Sequence, residues 1–537
     1  MGQKTKDNSI QARSQITYDD FPYEGFPYSY TRPEHLRTLG LLFGMNPPAI
    51  ETAKILDIGC AEGANMISFA ESYPESYTLG VDLSKVQIQN GMKILNDLGL
   101  KNIDLKHLSI TDLNESFGTF DYIICHGVIS WVPSIVREKI LEVTKKLLHK
   151  NGIAFISYNT LPGWNMQKSI RDMMMFHATG FTDNASKLQQ AKLFLDFVND
   201  SLEGVDTTYS KFLRDETKSL KSLNDSHIIH EYLGEENTAF SFYEFASMAK
   251  AHNLNYVGDS ILSSMFIGNL PPKAAEKLQA VNDIIKTEQY IDFISNRRFR
   301  RSILCHDSVA LNRTITADKL QQFYTTLNVY PAVSEDKVDL NNQLESLNFN
   351  YNNNEKFALS TTSPAMKAIL YVYSENLGNP LTLEAVASLA EKKLHKGNIE
   401  AIKTELGQTI TKMLLEGYVQ IFATKPVSIY EITEKPLVSS LAIYQAKNFG
   451  KPNVFVTNSI NNPMLIQLHE QYIVALLDGE HTIDNVKSEL LKKFNEGVLV
   501  VSNENGTITD EKLLKSFADH AVDEALQKFK VNYLLIG

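Results

Sequence analysis

The stretch at residues 54–70, KILDIGCAEGANMISFA, constrains the fold of this chain more than any other part of the sequence. Residues 55–58 are an apolar run typical of a strand, residues 59–63 form a loop of small side chains, and apolar residues return at helical spacing from Ala64. In such a unit the missing side chains let a ligand lie against backbone N–H groups at the helix N-terminus. The stretch therefore predicts a ligand-binding turn, and a purely structural turn is the alternative.

The acid at position 57 narrows the choice of ligand. A dinucleotide fingerprint would place its first glycine where this chain has Asp57, so a nicotinamide or flavin cofactor fits poorly. An acid followed by glycines at alternate positions resembles motif I of the class I S-adenosylmethionine (SAM) methyltransferases. Asp57, Gly59 and Gly63 match that motif, and Ala61 stands where its middle glycine usually sits. The resemblance implies SAM as the cofactor and these three matching residues as its contacts.

A second acid supports this resemblance. Residues 77–82 read as a strand that ends in Asp82. Doubly wound folds place an acid at the end of the second strand, where its carboxylate accepts hydrogen bonds from ribose hydroxyls. We predict that Asp82 and the following Leu83 bind the cofactor, and a turn aspartate at a strand end is the alternative.

Further strands are predicted at 104–108, 120–125 and 153–158, each separated from the next by a helix or a turn. Strands that alternate with helices indicate a parallel sheet with right-handed crossovers. Ligands on such a sheet bind beyond the carboxyl ends of the strands. The residues selected by this rule are Ser109, Ile110 and the stretches 126–131 and 158–164.

Two of these positions bear on cofactor recognition. Class I methyltransferases usually carry an acid that reads the adenine amino group where this chain has Ser109. We therefore expect adenine recognition to rest on Ser109 and the backbone of Ile110. His126 follows the strand at 120–125 and is expected to touch the cofactor, with a strand cap as the alternative.

Aromatic residues crowd the N-terminal part of the chain. Residues 18–30 contain two Phe-Pro-Tyr units, which hold the backbone extended and present several rings. We predict that this arm drapes over the cofactor, with Tyr28 and Tyr30 in contact with it. An aromatic strap packed on the domain surface is the alternative.

A narrower resemblance joins several of these motifs. The segments PYSY, DIGCAEG, CHGVISWVP and SYNTLPGW, followed by the stretches 226–233, 240–245 and 292–300, are similar to bacterial methyltransferases that carry a methyltransferase regulatory domain. The resemblance covers about residues 15–310 and extends to the rickettsial protein lysine methyltransferases that act on outer membrane protein B. It implies methylation of lysine side chains on a protein, and a bacterial outer-membrane surface protein as the substrate.

Methyl transfer to an amine sets the requirements for the acceptor side. The reaction is a direct displacement, so the amine must be neutral, in line with the methyl group and shielded from water. Free lysine has a pKa of about 10.4, and burial beside the sulfonium lowers it while aromatic faces and hydroxyl groups orient the amine. We predict Trp131 and Tyr158 from the sheet, and Glu231 and Tyr232 from the middle of the chain, as catalytic residues. An ordinary helix-end cluster at 230–232 is the alternative.

The predicted fold class is α/β, with a Rossmann-like class I methyltransferase sheet, a largely helical middle domain and a C-terminal α+β region of winged-helix-like units. Apolar residues at helical spacing in 186–212 predict packing on another domain or a second subunit, and so a homodimer. The basic run 297–301 is expected to be a salt-bridged helical face, and the Asn-rich segment 341–355 a loop. The predicted domains are 1–50 (aromatic arm and helix), 51–165 (SAM-binding), 166–310 (middle), 311–430 (winged-helix-like) and 431–537 (C-terminal).

Composition limits the remaining choices. A net charge of −11 argues against nonspecific binding to nucleic acid or to anionic membranes. The three cysteines form no metal or disulfide pattern, which indicates a reducing compartment, and no signal peptide or membrane-spanning run is evident. We therefore expect a cytoplasmic enzyme with a protein substrate. The alternatives are a small-molecule methyltransferase and a SAM-binding scaffold without turnover.

Overall fold

The computed structural model of the protein describes residues 19–23, 25–394, 397–503 and 506–537. Tyr18 and Glu24 of the predicted arm, and the part of the predicted first domain that precedes Tyr18, lie outside the described residues. No helix within these ranges is long and apolar enough to cross a membrane.

A seven-stranded sheet lies at the centre of the N-terminal half of the chain. Its strands are β1 (Lys54–Ile58), β2 (Tyr77–Asp82), β3 (Ile103–His107), β4 (Phe120–Cys125), β5 (Leu148–Asn159), β6 (Leu254–Asp259) and β7 (Phe299–His306). They lie in the order β3, β2, β1, β4, β5, β7, β6, with β1 to β5 parallel and β7 antiparallel to both of its neighbours. The predicted Rossmann-like parallel sheet is confirmed.

Both faces of this sheet are covered by helices, because consecutive strand residues point to opposite faces and most of them are apolar. Ile55 shares the core of one face with Met66, while its neighbour Leu56 shares the core of the other face with Ile140. The helices that connect the strands or precede them are α1 (Pro33–Leu42), α2 (Ala64–Ser72), α3 (Lys85–Leu98) and α4 (Ser134–Leu147).

Helices dominate the middle of the chain. They are α5 (Trp164–His177), α6 (Asn184–Ser201), α7 (Thr208–Lys221), α8 (Asp225–Ile228), a π-helical turn (Ile229–Leu233), α9 (Phe242–Ala251), α10 (Pro272–Leu278) and α11 (Ile284–Ser295). The helical pattern at 186–212 is split in two, because Gly204 adopts a left-handed φ of +74° and Thr207 caps the start of α7. Strands β6 and β7 also come from residues predicted to form the middle domain, so this region completes the sheet.

The basic run 297–301 is extended, which corrects the expected helix. Phe299 pairs with Asn159, so the run enters the sheet as β7 and its side chains alternate between the two faces. The expected ion pairs are present for three of its arginines. Fully buried Arg300 contacts Glu288 and Asp292 at 2.8 and 2.7 Å, and Arg297 and Arg298 also pair with carboxylates.

The C-terminal part contains two further α+β units. In the first, three helices are followed by a strand that joins the small sheet β12, β8, β13, as predicted for a winged-helix-like unit. The elements of the first unit are α12 (Ala317–Leu320), β8 (Tyr324–Leu327), β9 (Val329–Pro331), β10 (Leu347–Tyr351), β11 (Asn354–Thr361), α13 (Pro364–Glu375), β12 (Leu381–Thr382), α14 (Leu383–Lys393), α15 (Ile399–Glu416) and β13 (Val419–Phe422). Those of the second unit are α16 (Ser440–Ala446), β14 (Asn453–Thr457), β15 (Pro463–Gln467), α17 (Leu468–Val474), α18 (Ile483–Asn495), β16 (Ser502–Asn503), β17 (Gly506–Thr507) and α19 (Glu511–Val531).

The expected loop at 341–355 instead contains β10 and the start of β11. Leu347 and Phe349 alternate with asparagines and are buried, so the period of two was present but was obscured by the polar composition. Near residue 533 the chain forms no regular strand in the described structure, and Leu535 makes an isolated antiparallel bridge to Val438.

The buried ion pairs of Arg300 predict a large stability effect. Replacing Arg300 by Met leaves the Glu288 and Asp292 carboxylates buried without their main cation, so we expect the free energy of unfolding to fall by about 3–5 kcal/mol. Lys168→Met is the control, because the Lys168 ammonium pairs with Asp172 while both are more than half exposed, and we expect it to cost less than about 1 kcal/mol. Denaturant unfolding followed by circular dichroism measures both, and equal losses would contradict a structural role for Arg300.

Candidate active site

A cavity of about 540 Å³ lies beyond the carboxyl ends of the parallel strands. Its size and its mixture of apolar walls and convergent polar groups are typical of a small-molecule or cofactor site. The residues that line it are Tyr23, Gly25, Phe26, Tyr28, Tyr30, Asp57, Gly59, Cys60, Ala61, Ala64, Asn65, Val81, Asp82, Leu83, Gln87, Ser109, Ile110, His126, Gly127, Val128, Trp131, Val132, Pro133, Val136, Asn159, Trp164, His227, His230, Glu231, Arg298, Phe299 and Arg301.

The loop between β1 and α2 forms the floor of the cavity. Gly59, Ala61 and Gly63 all have left-handed φ angles, of +74°, +51° and +81°. A side chain at Gly59 would overlap Val128, which explains why the loop needs glycine there. Alanine at position 61 adopts this conformation at a cost of about 1–2 kcal/mol.

Gly63, also predicted to contact the cofactor, is not among the residues that line the cavity. It is the residue that precedes α2, and its Cα faces Leu105 behind the loop. The left-handed turn at Gly63 therefore shapes the loop from behind, while Gly59 and Ala61 line the cavity.

Two carboxyl groups face the cavity from the ends of adjacent strands. Asp82 accepts hydrogen bonds from the backbone N–H groups of Ala61 at 2.9 Å and Ser84 at 2.8 Å. Burial raises its pKa. Asp57 is buried beside it, and burial together with the nearby Asp82 raises the pKa of Asp57 to about 7. A ligand with hydroxyl or ammonium donors would relieve the cost of holding these two acids side by side.

Ser109 and Ile110 lie at the far end of the cavity, beyond β3. The Ser109 hydroxyl lies 2.7 Å from that of Thr111, and the only acid nearby in sequence, Asp112, is not part of the lining. Because Ser109 stands where an acid would bind the adenine amino group, the Ile110 side chain and the local backbone are the groups that could contact an adenine base there.

The N-terminal arm crosses the cavity and touches both of its sides. On the sheet side, a Cβ at Gly25 would lie 2.8 Å from that of Ala64, so the arm rests directly on the glycine loop. On the other side, His230 Nε2 donates to the carbonyl of Phe21 at 2.7 Å and Ser226 Oγ donates to that of Pro22 at 3.0 Å. The arm thus spans from the sheet to the middle helices, as a cover over a ligand would.

Asn65 anchors the end of this arm. Its Oδ1 accepts hydrogen bonds from the Tyr28 N–H at 3.1 Å and from Thr31 Oγ1 at 2.9 Å. Asn461, which is fully buried in the C-terminal unit, donates from Nδ2 to the backbone oxygens of Tyr28 and Asn65 at 3.3 and 3.0 Å. The C-terminal unit therefore holds the arm and the glycine loop together.

His126 sits in a network of rings. Its Nδ1 lies 2.7 Å from Ser157 Oγ and its Nε2 lies 3.2 Å from the Tyr30 hydroxyl, while the Tyr28 ring meets it edge-on at 4.2 Å. Burial, and then the charge of Arg301, lower the pKa of His126 to about 3. The imidazole is therefore neutral and fixes the position of Tyr30.

The opposite part of the cavity carries aromatic rings and one acid. The chain has only two tryptophans, Trp131 and Trp164, and both line the cavity with their rings 6.0 Å apart and nearly perpendicular. Glu231 reaches the cavity from the π-helical turn, a distortion that is common at functional sites. Burial raises the pKa of Glu231 to about 8, and its charge contributes to the raised pKa of Tyr28.

Two of the predicted catalytic residues do not reach the cavity. Tyr158 is fully buried between the sheet and α9, where its ring stacks on Phe245 at 4.0 Å and its hydroxyl lies 3.0 Å from Ser302 Oγ. Tyr232 points into the core of the middle helices with Ile170. In each case the adjacent residue, Asn159 or Glu231, lines the cavity instead.

Sequence reasoning missed several other lining residues. Asn159 and Trp164 lay within the selected stretch 158–164, but no signal separated them from their neighbours. Asn65 and Arg301 carried no signal at all, because the first is one polar residue in a helix and the second belongs to a basic run that was expected to be salt-bridged.

Three family models match the chain in order. A methyltransferase domain matches residues 51–199, a predicted methyltransferase regulatory domain matches residues 224–306, and a PKMT C-terminal winged helix domain matches residues 434–534. The regulatory-domain match includes both the π-helical turn and strand β7.

Solved structures and a curated relative match almost the whole chain. PKMT2 from Rickettsia typhi is 52% identical, with 96% of this chain and 100% of that chain covered and a TM-score of 0.89. Its complex with AdoHcy, the demethylated form of SAM, gives a TM-score of 0.90 at the same identity and coverage. The uncharacterised protein RP789 of Rickettsia prowazekii is 46% identical over 97% of this chain and 93% of its own length.

The Asp82 carboxylate predicts a specific loss of cofactor affinity. Asp82→Asn removes the charge and one acceptor oxygen for a ribose hydroxyl, so we expect AdoHcy to bind about 10- to 100-fold more weakly. Asp104→Asn is the control, because Asp104 lies on β3 outside the cavity and accepts only from Tyr77 among the bonds described. Isothermal titration measures both, and an unchanged affinity in the Asp82 variant would place the ribose elsewhere.

Proposed function

The chain belongs to the PKMT family of SAM-dependent methyltransferases, and from this premise we propose that it transfers the methyl group of SAM to lysine side chains of a protein. SAM is the cofactor, and it supplies the methyl group. The observation that carries the choice of acceptor is that Glu231, a carboxyl group whose pKa burial raises, lines the same cavity as the glycine loop and both tryptophans.

Glu231 suits an acceptor that must lose a proton. A lysine enters as an ammonium with a pKa of about 10.4 and must be neutral to attack. A carboxyl group with a pKa of about 8 is a better proton acceptor near neutral pH than an ordinary glutamate, because general bases are most effective when their pKa is near the working pH. Burial beside the cationic sulfonium lowers the pKa of the lysine further toward that of Glu231.

The tryptophan pair suits the rest of a lysine side chain. Perpendicular indole rings offer one face and one edge, which can hold an apolar four-carbon stem and attract the charged head. Asn159 adds a polar group, since its side-chain nitrogen is buried with no hydrogen-bond partner among the described residues. Together these groups would orient the amine, while the arm would exclude water from the reaction.

We propose a bacterial outer-membrane surface protein as the acceptor and the cytoplasm as the place of reaction. The sequence resemblance to methyltransferases that act on outer membrane protein B supports the acceptor. The large units outside the sheet favour a macromolecular acceptor over a small one. The acidic net charge of −11 argues against nucleic acid as a partner.

Mass spectrometry tests this function directly. The enzyme is incubated with isotope-labelled SAM and candidate outer-membrane proteins, and protein products are separated from small molecules. Label on lysines of the protein supports the proposal. Label recovered in a small molecule would favour a small-molecule methyltransferase. SAM binding without formation of AdoHcy over a broad panel of acceptors would favour a SAM-binding scaffold without turnover.

A change at Glu231 should affect turnover more than cofactor binding. We expect Glu231→Gln to lower kcat at neutral pH by about 10²- to 10⁴-fold, with AdoHcy affinity changed less than about twofold. In the wild type, kcat should rise with pH through about 8 as the carboxyl group ionises, and this rise should be weaker in the variant. Glu203→Gln, at an exposed site in the turn between α6 and α7, is the control. A full kcat in the Glu231 variant would remove this residue from the proposal.

Exposed apolar side chains on α5 and α6 support the proposed homodimer. Phe176, Leu193 and Phe197 are 82%, 51% and 63% exposed, and the two helices meet where the rings of His177 and Phe194 lie 5.3 Å apart. Exposed aromatic residues of this density mark a protein interface more often than a solvated face.

We expect the double variant Phe176→Glu and Phe197→Glu to elute as a monomer in size-exclusion chromatography with light scattering, because two charges would have to be buried in the interface. Leu344→Glu is the control, since Leu344 is 96% exposed but lies in a different unit. A monomeric wild type, or a double variant that remains dimeric, would contradict this interface.

A further inference from the structure

Arg301 differs from the other arginines of its run. Arg297, Arg298 and Arg300 each pair with a carboxylate, but no carboxylate in the described ranges lies within 4 Å of the Arg301 guanidinium. Its Nε is buried and has no hydrogen-bond partner among those residues. Arg301 as a whole is half-buried, and a partly desolvated cation without a counter-ion gains from a ligand that supplies the missing charge.

The surroundings of Arg301 hold it at the edge of the cavity. Its guanidinium carbon lies 4.9 Å from the centre of the Tyr30 ring and 5.2 Å from that of Phe299. Arg301 pairs across the sheet with Ser157, whose hydroxyl contacts His126, so it lies on the same side of the cavity as these groups. The Tyr30 hydroxyl interacts with the guanidinium as well, and the remaining N–H groups of this planar fork suit a carboxylate.

Among the residues that the structure describes, the cavity lining has one arginine without a carboxylate partner and several acids. Asp57, Asp82 and Glu231 all line it, while the other arginine in the lining, Arg298, pairs with Glu216 at 2.5 Å. The cofactor carries hydroxyl groups, a sulfonium and an ammonium, which suit carboxylates, and a single anionic group, the carboxylate of its methionine moiety.

We propose that Arg301 binds the carboxylate of the methionine moiety of the cofactor through charge-assisted hydrogen bonds. This assignment matches the one anionic group of the ligand with the one unpaired cation of the cavity among the residues described. It places the ribose at Asp82 on β2 and the methionine end toward β7, on the other side of β1 in the sheet order. The proposal depends on SAM as the cofactor and does not depend on which acceptor is methylated.

The position of Arg301 in the chain gives this contact a wider role. It belongs to residues 224–306, which match the regulatory-domain model, whereas the glycine loop and Asp82 belong to the methyltransferase domain. A bound cofactor would therefore bridge the two regions. By thermodynamic linkage, a change that displaces β7 would lower the affinity for the cofactor, and bound cofactor would in turn stabilise the position of β7.

Matched ligands test the proposal on the wild-type protein without any substitution. AdoHcy is compared by isothermal titration with its decarboxylated analogue, which keeps the ammonium, and with 5′-methylthioadenosine, which lacks the whole amino acid. We expect the loss of the carboxylate alone to weaken binding by about 10- to 100-fold. Equal affinity for AdoHcy and its decarboxylated analogue would overturn the proposal.

Substitution then locates the effect. Arg301→Met should lower the affinity for AdoHcy by about the same 10- to 100-fold factor and leave that for the decarboxylated analogue within about twofold, while Arg301→Lys should lie between. Arg214→Met is the control, because Arg214 is similarly half-buried but lies outside the cavity lining and donates to the carbonyls of Leu202 and Val205. An equal loss for both ligands would show a general distortion instead. An unchanged AdoHcy affinity with a raised KM for a protein acceptor would assign Arg301 to the acceptor, and either result would overturn the proposal.

Discussion

The hydrogen bond from the Ala61 N–H to the Asp82 carboxylate is the interaction on which the rest of the site depends. It ties the loop after β1 to the end of β2, and the N–H groups of Gly59 and Cys60 add bonds to the carbonyl of Val81 at 2.8 and 3.1 Å. These bonds stabilise a turn in which Ala61 has a left-handed φ, a conformation that is unfavourable for alanine. The N-terminal arm at Gly25 packs directly onto the loop, so its path follows from this small turn.

Local patterns predicted the scaffold well, because the features that define it lie close together in sequence. Asp57, Asp82 and His126 each lie at or next to the end of an apolar run, and the rule for parallel sheets places such residues at one edge. The acceptor side was harder, because a shift of one residue reverses the side of a strand or helical turn that a side chain occupies. Tyr158 and Tyr232 were selected, whereas their neighbours Asn159 and Glu231 reach the cavity. Periodicity identifies such segments but does not tell which face meets a ligand.

Other parts of the site depend on pairings that no local pattern carries. Arg301 belongs to a basic run that was predicted to be helical. Only its pairing with β5 shows that the run forms strand β7. Asn65 gains its role only because the arm and the C-terminal unit both reach it. Ion pairing was correctly expected for most of the run, and the arginine without a carboxylate partner among the described residues, Arg301, lines the cavity. In this protein, the residues that sequence reasoning could not assign are those that join separate regions of the chain.

The contact of Asn461 with Tyr28 and Asn65 has a consequence for how the protein is made. These residues lie near opposite ends of the chain, so the arm and the glycine loop can be joined in this way only after most of the polypeptide has left the ribosome. The parallel sheet can form earlier from its own segments, because domains fold as units during synthesis. A growing chain would thus have its sheet before it has a closed donor site. The order of synthesis itself delays the final shape of that site until the C-terminal unit has folded.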